Sequence, residues 1–213
     1  MAAMMAPDSD RPVLVRRGQW LNAATLAYNS LEGLLAIVLG LNAGSVALFS
    51  FGIDSAIEVS ASIVALWRLD VDVDPLRRAR VERISHRTIG SLFLGIALYI
   101  AGDGVNALFR HRGPETSVWG IVLAAASLVV MPYLAREKRR IGLALGSRAL
   151  VSESGQTSLC TYLSAILLAG LLLNALVGWW WSDPVAALLM VPIIVREGIQ
   201  GLRGDPACHD GCH

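Results

Sequence analysis

Charge is scarce in this sequence. Asp, Glu, Lys and Arg make up 16% of its 213 residues, against roughly 25% in an ordinary soluble domain, so a chain whose whole surface faces water is excluded. An excess of one sign is missing as well. The formal net charge of +1 lacks the clustered basic surplus of a nucleic-acid binder, so no nucleic-acid partner is expected. Of three cysteines, Cys160 lies in an apolar segment and Cys208 and Cys212 lie close to the end of the chain, which is not a disulfide framework. The opening MAAMMAPDSDRPVLVRRG has no apolar core and is broken by acids and prolines, so it reads as a short arm and not a signal peptide. No nucleophile and base share a substrate-sized soluble domain, so enzymatic activity is not expected.

What remains is apolar: 54% hydrophobic residues and a mean hydropathy of +0.55. Long apolar stretches occupy residues 20–41, 44–67, 88–109, 117–135, 149–178 and 184–200, each near the ~17–25 residues that cross a bilayer. The expected fold is therefore an all-α membrane protein of six transmembrane helices. The expected organisation is an N-terminal cytoplasmic arm over 1–18, a six-helix transport domain over 19–203 and a Cys/His-rich cytoplasmic tail over 204–213.

Basic residues set the orientation. They precede span one, fill the loops after spans two and four, and follow span six, which leaves only Arg110 and Arg112 of the 18 on the opposite side. The positive-inside rule places the crowded side in the cytoplasm, so the protein is expected in the inner (plasma) membrane with both termini cytoplasmic. The acidic segment Asp70-Val71-Asp72-Val73-Asp74 reads as a solvated loop. Trp179, Trp180 and Trp181 read as an interfacial anchor, and Asp183 as an acid at the N-terminus of its own helix.

Ionisable residues inside spans are costly and point to function. Asp54 and Glu58 are four apart and share one face of the second span, with Asp54 roughly 13 Å below Ser45, near mid-bilayer. Two carboxylates so placed need protons, a cation or a wet cleft. Protonated acids bonded to Ser or Asn of neighbouring helices are one solution, and a divalent cation that exchanges with protons is another. In the fifth span, Gln156 and Cys160 are likewise four apart, and Gln156 lies roughly 12 Å above Arg148, at the depth of the acidic pair. Asp54, Glu58, Gln156 and Cys160 are therefore the expected metal ligands, a mixed oxygen and sulfur set suited to a borderline metal such as zinc. Glu153, one turn inward, and Glu32, deep in span one, are candidate vestibule or proton-coupling groups. Cys208, His209, Cys212 and His213 form a candidate accessory metal site in the tail, where cytoplasmic thiols stay reduced.

Gly44-Ser45-Val46-Ala47-Leu48, Asp54-Ser55 and Glu58, then Ser147-Arg148-Ala149-Leu150-Val151-Ser152-Glu153-Ser154-Gly155-Gln156 with Cys160, and finally Asp183-Pro184, resemble the cation diffusion facilitator family in residues and order. The resemblance spans about residues 20–203 and implies a homodimer that exchanges cytoplasmic metal for protons. Typical members carry Asp at both positions in the second helix, where this chain has Asp54 and Glu58. They carry His or Asp and then Asp in the fifth, where this chain has Gln156 and Cys160, and commonly Asp at the position of Glu153. They also add a cytoplasmic αββα domain of about 80 residues. About ten residues follow Arg203 here, too few for a separate core, so the chain reads as a divergent member without that domain, dimerising through its membrane helices.

The expected function is a secondary transporter that exports a divalent transition metal in exchange for protons. Zinc is the first choice of cargo, with Mn2+, Fe2+, Cd2+ and Co2+ open, and no resident cofactor is expected. The alternatives are a metal sensor or scaffold without turnover, or a proton-linked carrier of another small cation.

Overall fold

The computed structural model describes residues 11–70, 75–145 and 148–203. The side chain of Glu153, the segment 71–74 and the tail with Cys208, His209, Cys212 and His213 lie outside the described residues. The fold is all-helical: α1 (Arg11–Ala43), α2 (Val46–Asp70), α3 (Pro75–Phe109), α4 (Val118–Leu145), α5 (Arg148–Val177) and α6 (Ser182–Arg203). By length and composition, α1, α4 and α6, the Gly90–Phe109 part of α3 and the Ser154–Val177 part of α5 can cross a membrane among the described residues. The helix α2 is the one that carries Asp54 and Glu58.

Their outer surface is what lipid selects. Leu98, Leu176, Trp119 and Phe109 are each at least 72% exposed, an apolar display that water would penalise and hydrocarbon does not. The helices run past the apolar stretches into the polar layers. Residues 11–18 of the expected arm belong to α1, and α4 continues to Leu145 through the basic run. Within that run Lys138 turns inward, 2% exposed, and its Nζ donates to Asn22 Oδ1 at 3.5 Å.

Small residues let the helices pair closely. Between α1 and α2, a Cβ on Gly40 would sit 2.6 Å from the Phe49 nitrogen, and one on Gly52 would sit 2.7 Å from the Ile37 nitrogen. The hairpin joining them turns at Gly44, whose φ of 65° suits glycine, and Ser45 N donates to Gly40 O at 3.0 Å. The pair α3 and α6 meets backbone to backbone, since a Cβ on Gly90 would lie 2.6 Å from Gly198 O. The third pair, α4 and α5, closes at Gly142, where a Cβ would reach Val151 Cγ2 at 2.9 Å. A central core of Leu48, Phe51, Ile100, Leu163, Leu167 and Met190 joins the pairs.

The tryptophan segment forms the α5–α6 turn as its composition suggests. Trp179 and Trp181 stack with ring centroids 4.9 Å apart, and Trp180 packs on His111 of the α3–α4 loop at 4.7 Å. Asp183 is the acid expected at the start of its own helix, and it also serves a second one. It lies in the first turn of α6, but its carboxylate caps α2: it accepts from Val46 N at 2.9 Å and from Ala47 N at 3.4 Å, and from Ser45 Oγ. The sequence pairs an acid with the nearest helix start, whereas packing delivers it to the start of another.

Candidate functional site

Four residues per turn and a bit fewer, repeated, carry Asp54 and Glu58 to the same side of α2, and Gln156 and Cys160 to the same side of α5. Where the two helices face each other these four side chains line one cavity. The closest link is Cys160 Sγ to Glu58 Oε2, at 3.0 Å. A longer contact of 3.9 Å connects the same sulfur to Asp54 Oδ2. The thiol therefore stands between the two acids, fully enclosed at 1% exposure. As a weak donor it can give its proton to a carboxylate oxygen.

The structure brings the four sequence-predicted donors to a common cavity, but they do not converge on a point. Among the described residues no group of three or more His, Cys, Asp or Glu is set to hold a metal ion. The reason is the placement of the helices. Cys160 makes close contact with α2, while Gln156, one turn inward on α5, stands along the cavity wall.

Two polar residues join the site that the sequence reading passed over. Asn29 of α1, 2% exposed, donates through Nδ2 to Glu58 Oε2 at 2.7 Å. The oxygen that takes the thiol thus also takes an amide, and its direction is fixed from two sides. Glu197 of α6 lines the cavity opposite α2. Its signal was the one that marked Asp54, an acid inside an apolar stretch. Arg196 beside it lets the pair pass for an interfacial one. Asn29 carried no such signal, because a neutral amide in a span is ordinary helix glue.

Glu32 is apart from the cavity lining. It is 1% exposed and lies behind α2, where its Oε2 accepts from Ser55 Oγ at 3.5 Å. It shares a face of α1 with Asn29, three residues earlier, so it is connected to Glu58 through its own helix. The rest of the cavity is apolar, with Phe93 from α3, Leu159 and Leu163 from α5, and Ile193 and Ile194 from α6. Such walls keep lipid-like surroundings around a few polar groups, the usual make-up of a small-ligand site.

Residues 23–203 match the cation efflux transmembrane domain. The chain belongs to the cation efflux family. An uncharacterized transporter of Synechocystis is 28% identical over 173 residues, covering 78% of this chain and 56% of the relative. The magnetosome protein MamB of Paramagnetospirillum magneticum is 24% identical over 187 residues, 85% of this chain and 62% of the relative. The cation-efflux pump FieF of Shewanella oneidensis is 22% identical over 183 residues, 83% of this chain and 62% of the relative. The chain thus spans 56% to 62% of the length of these three proteins. Family membership makes the chain a multi-pass membrane protein of a transporter family, and not a member of an enzyme family.

Proposed function

We propose that the protein exports a divalent transition metal, zinc foremost, from the cytoplasm across the inner membrane in exchange for protons. The observation that carries this reading is the Cys160–Glu58 contact of 3.0 Å, which joins a thiol of α5 to an acid of α2 within a cavity deep in a membrane domain. A thiol and carboxylates are ligands only without their protons, so metal binding and proton release are coupled by chemistry. Asp54, Glu58, Gln156 and Cys160 hold the cation when the α2 and α5 walls draw together around it. Their oxygen and sulfur atoms suit zinc and other borderline ions.

Alternating access follows from the different needs of the two occupied states. Metal stabilises the inward-drawn walls, and protons on the same groups stabilise the relaxed ones, so the two ligands favour different conformations. The name of the Shewanella relative, a cation-efflux pump, supports outward movement. The arginine distribution supports cytoplasmic termini. Dimerisation through membrane helices, with Glu32 and Glu153 in proton transfer, completes the proposal.

The test is transport in sealed proteoliposomes with a pH probe inside. Under an imposed proton gradient, zinc, manganese, iron or cadmium flux accompanied by counter-moving protons is the expected result. Tight zinc binding without flux of any of these ions would sink the transport reading and favour a sensor or scaffold.

A further inference from the structure

The helix α5 contributes an amide and a thiol to the cavity, and α2 contributes two carboxylates. A third carboxylate stands on the wall that neither helix forms. Glu197 lies on α6 on the same face as Ile193 and Ile194, four and three residues before it, and all three line the cavity. Glu197 and Asp54 line the same cavity.

Its depth follows from the outer clasp. The Asp183 carboxylate meets Val46 N at 2.9 Å, so α2 and α6 start at one level. At 1.5 Å per residue, Asp54 lies roughly 12 Å and Glu58 roughly 18 Å below Val46, and Glu197 roughly 21 Å below Asp183. The three acids descend in order toward the arginine-rich side, with Glu197 innermost. Its backbone is held firmly. The next residue, Gly198, packs so closely on α3 that a Cβ there would meet Leu94 Cδ2 at 2.9 Å and Gly90 O at 3.1 Å.

We infer that Glu197 is a further cation-binding residue, the inner carboxylate that receives a divalent ion on its way to Asp54 and Glu58 and tilts the site toward oxygen-preferring metals. The inference rests on the metal-transport reading and adds to it a specificity. With Glu197 the donor set is three carboxylates, one amide oxygen and one sulfur, and hard ions such as manganese depend on the oxygens. Without it, the thiol of Cys160 weighs more, and a thiophilic ion such as cadmium is favoured.

The experiment titrates the purified full chain in detergent with manganese chloride and, separately, with cadmium chloride. The variants are Glu197→Gln, Glu197→Ser, Glu197→Asp and Asp54→Asn. The two neutral variants at 197 are expected to lose manganese affinity by at least about ten-fold, the lower end of what supporting groups around metal sites contribute, and to lose less for cadmium. Glu197→Asp, which keeps the carboxylate, restores manganese binding toward the parent value. Parental manganese affinity in both neutral variants overturns the inference. Equal weakening of both metals, with Glu197→Asp no better, marks a purely structural role and also overturns it. Asp54→Asn separates the two levels: if it abolishes binding while the 197 variants behave as the parent, only the role of Glu197 falls. If the parent binds neither metal, the metal-transport reading falls and takes the inference with it.

Discussion

Asp183 and Ser45, 138 positions apart in the chain, meet through a hydrogen bond of 2.5 Å between Ser45 Oγ and Asp183 Oδ1. The serine in turn accepts from Leu48 N at 3.0 Å, so one buried acid and one hydroxyl together satisfy the free amides at the start of α2. Buried backbone donors without partners are costly, the more so in a bilayer. Replacing Asp183 by Ala leaves three donors unmatched. We expect a loss of about 1–3 kcal/mol, seen as earlier thermal unfolding in detergent.

Asp54→Ala and Glu58→Ala each remove one of the two carboxylates that Cys160 contacts. Metal flux in proteoliposomes is expected to fall to background in both, while membrane insertion and helix content by circular dichroism stay as in the parent. Flux at the parental rate in either variant would remove that residue from the site.

Asn29 aims Glu58 through a 2.7 Å bond without belonging to the donor set. In Asn29→Leu the carboxylate loses that anchor, and zinc affinity should fall by about 10- to 100-fold, the range seen when outer partners of metal ligands are removed. Asn29→Gln keeps an amide and should recover part of the loss. A purely packing role predicts the reverse, since leucine fills the space at least as well as glutamine.

Cys160→Ser exchanges a soft donor for a hard one at a fully buried position. Zinc and cadmium binding should weaken more than manganese binding. Because a thiol gives up its proton on binding metal, the serine variant should also release fewer protons per zinc. Calorimetry in buffers of different ionisation enthalpy measures this directly. Equal zinc affinity and equal proton release would exclude Cys160 as a ligand.

The helices were legible in the sequence because the bilayer imposes a length on apolar runs, yet their ends were not. Hydropathy marks where lipid begins, while backbone hydrogen bonds keep a helix going into the polar layers, as α3 does by starting at Pro75 and α4 by ending at Leu145. Asp54, Glu58, Gln156 and Cys160 could be grouped because spacing and depth are both read along the chain. Asn29 and Glu197 come from helices whose rotation about their own axes is set only by packing. The direction of Asp183 toward α2 is of the same kind, since a residue number says nothing about which neighbouring helix start lies within reach.

Two rods clasped at one end part most readily at the other. The Ser45–Asp183 clasp sits where α2 and α6 begin, so separation of these helices swings about that end and widens the cavity beside Glu197. Opening toward the arginine-rich face keeps the clasp intact, whereas opening toward the far face must stretch or break it. In the proposed transport cycle the clasp makes one direction of opening cheaper than the other, and loosening it should shift the resting protein toward the far-side-open form.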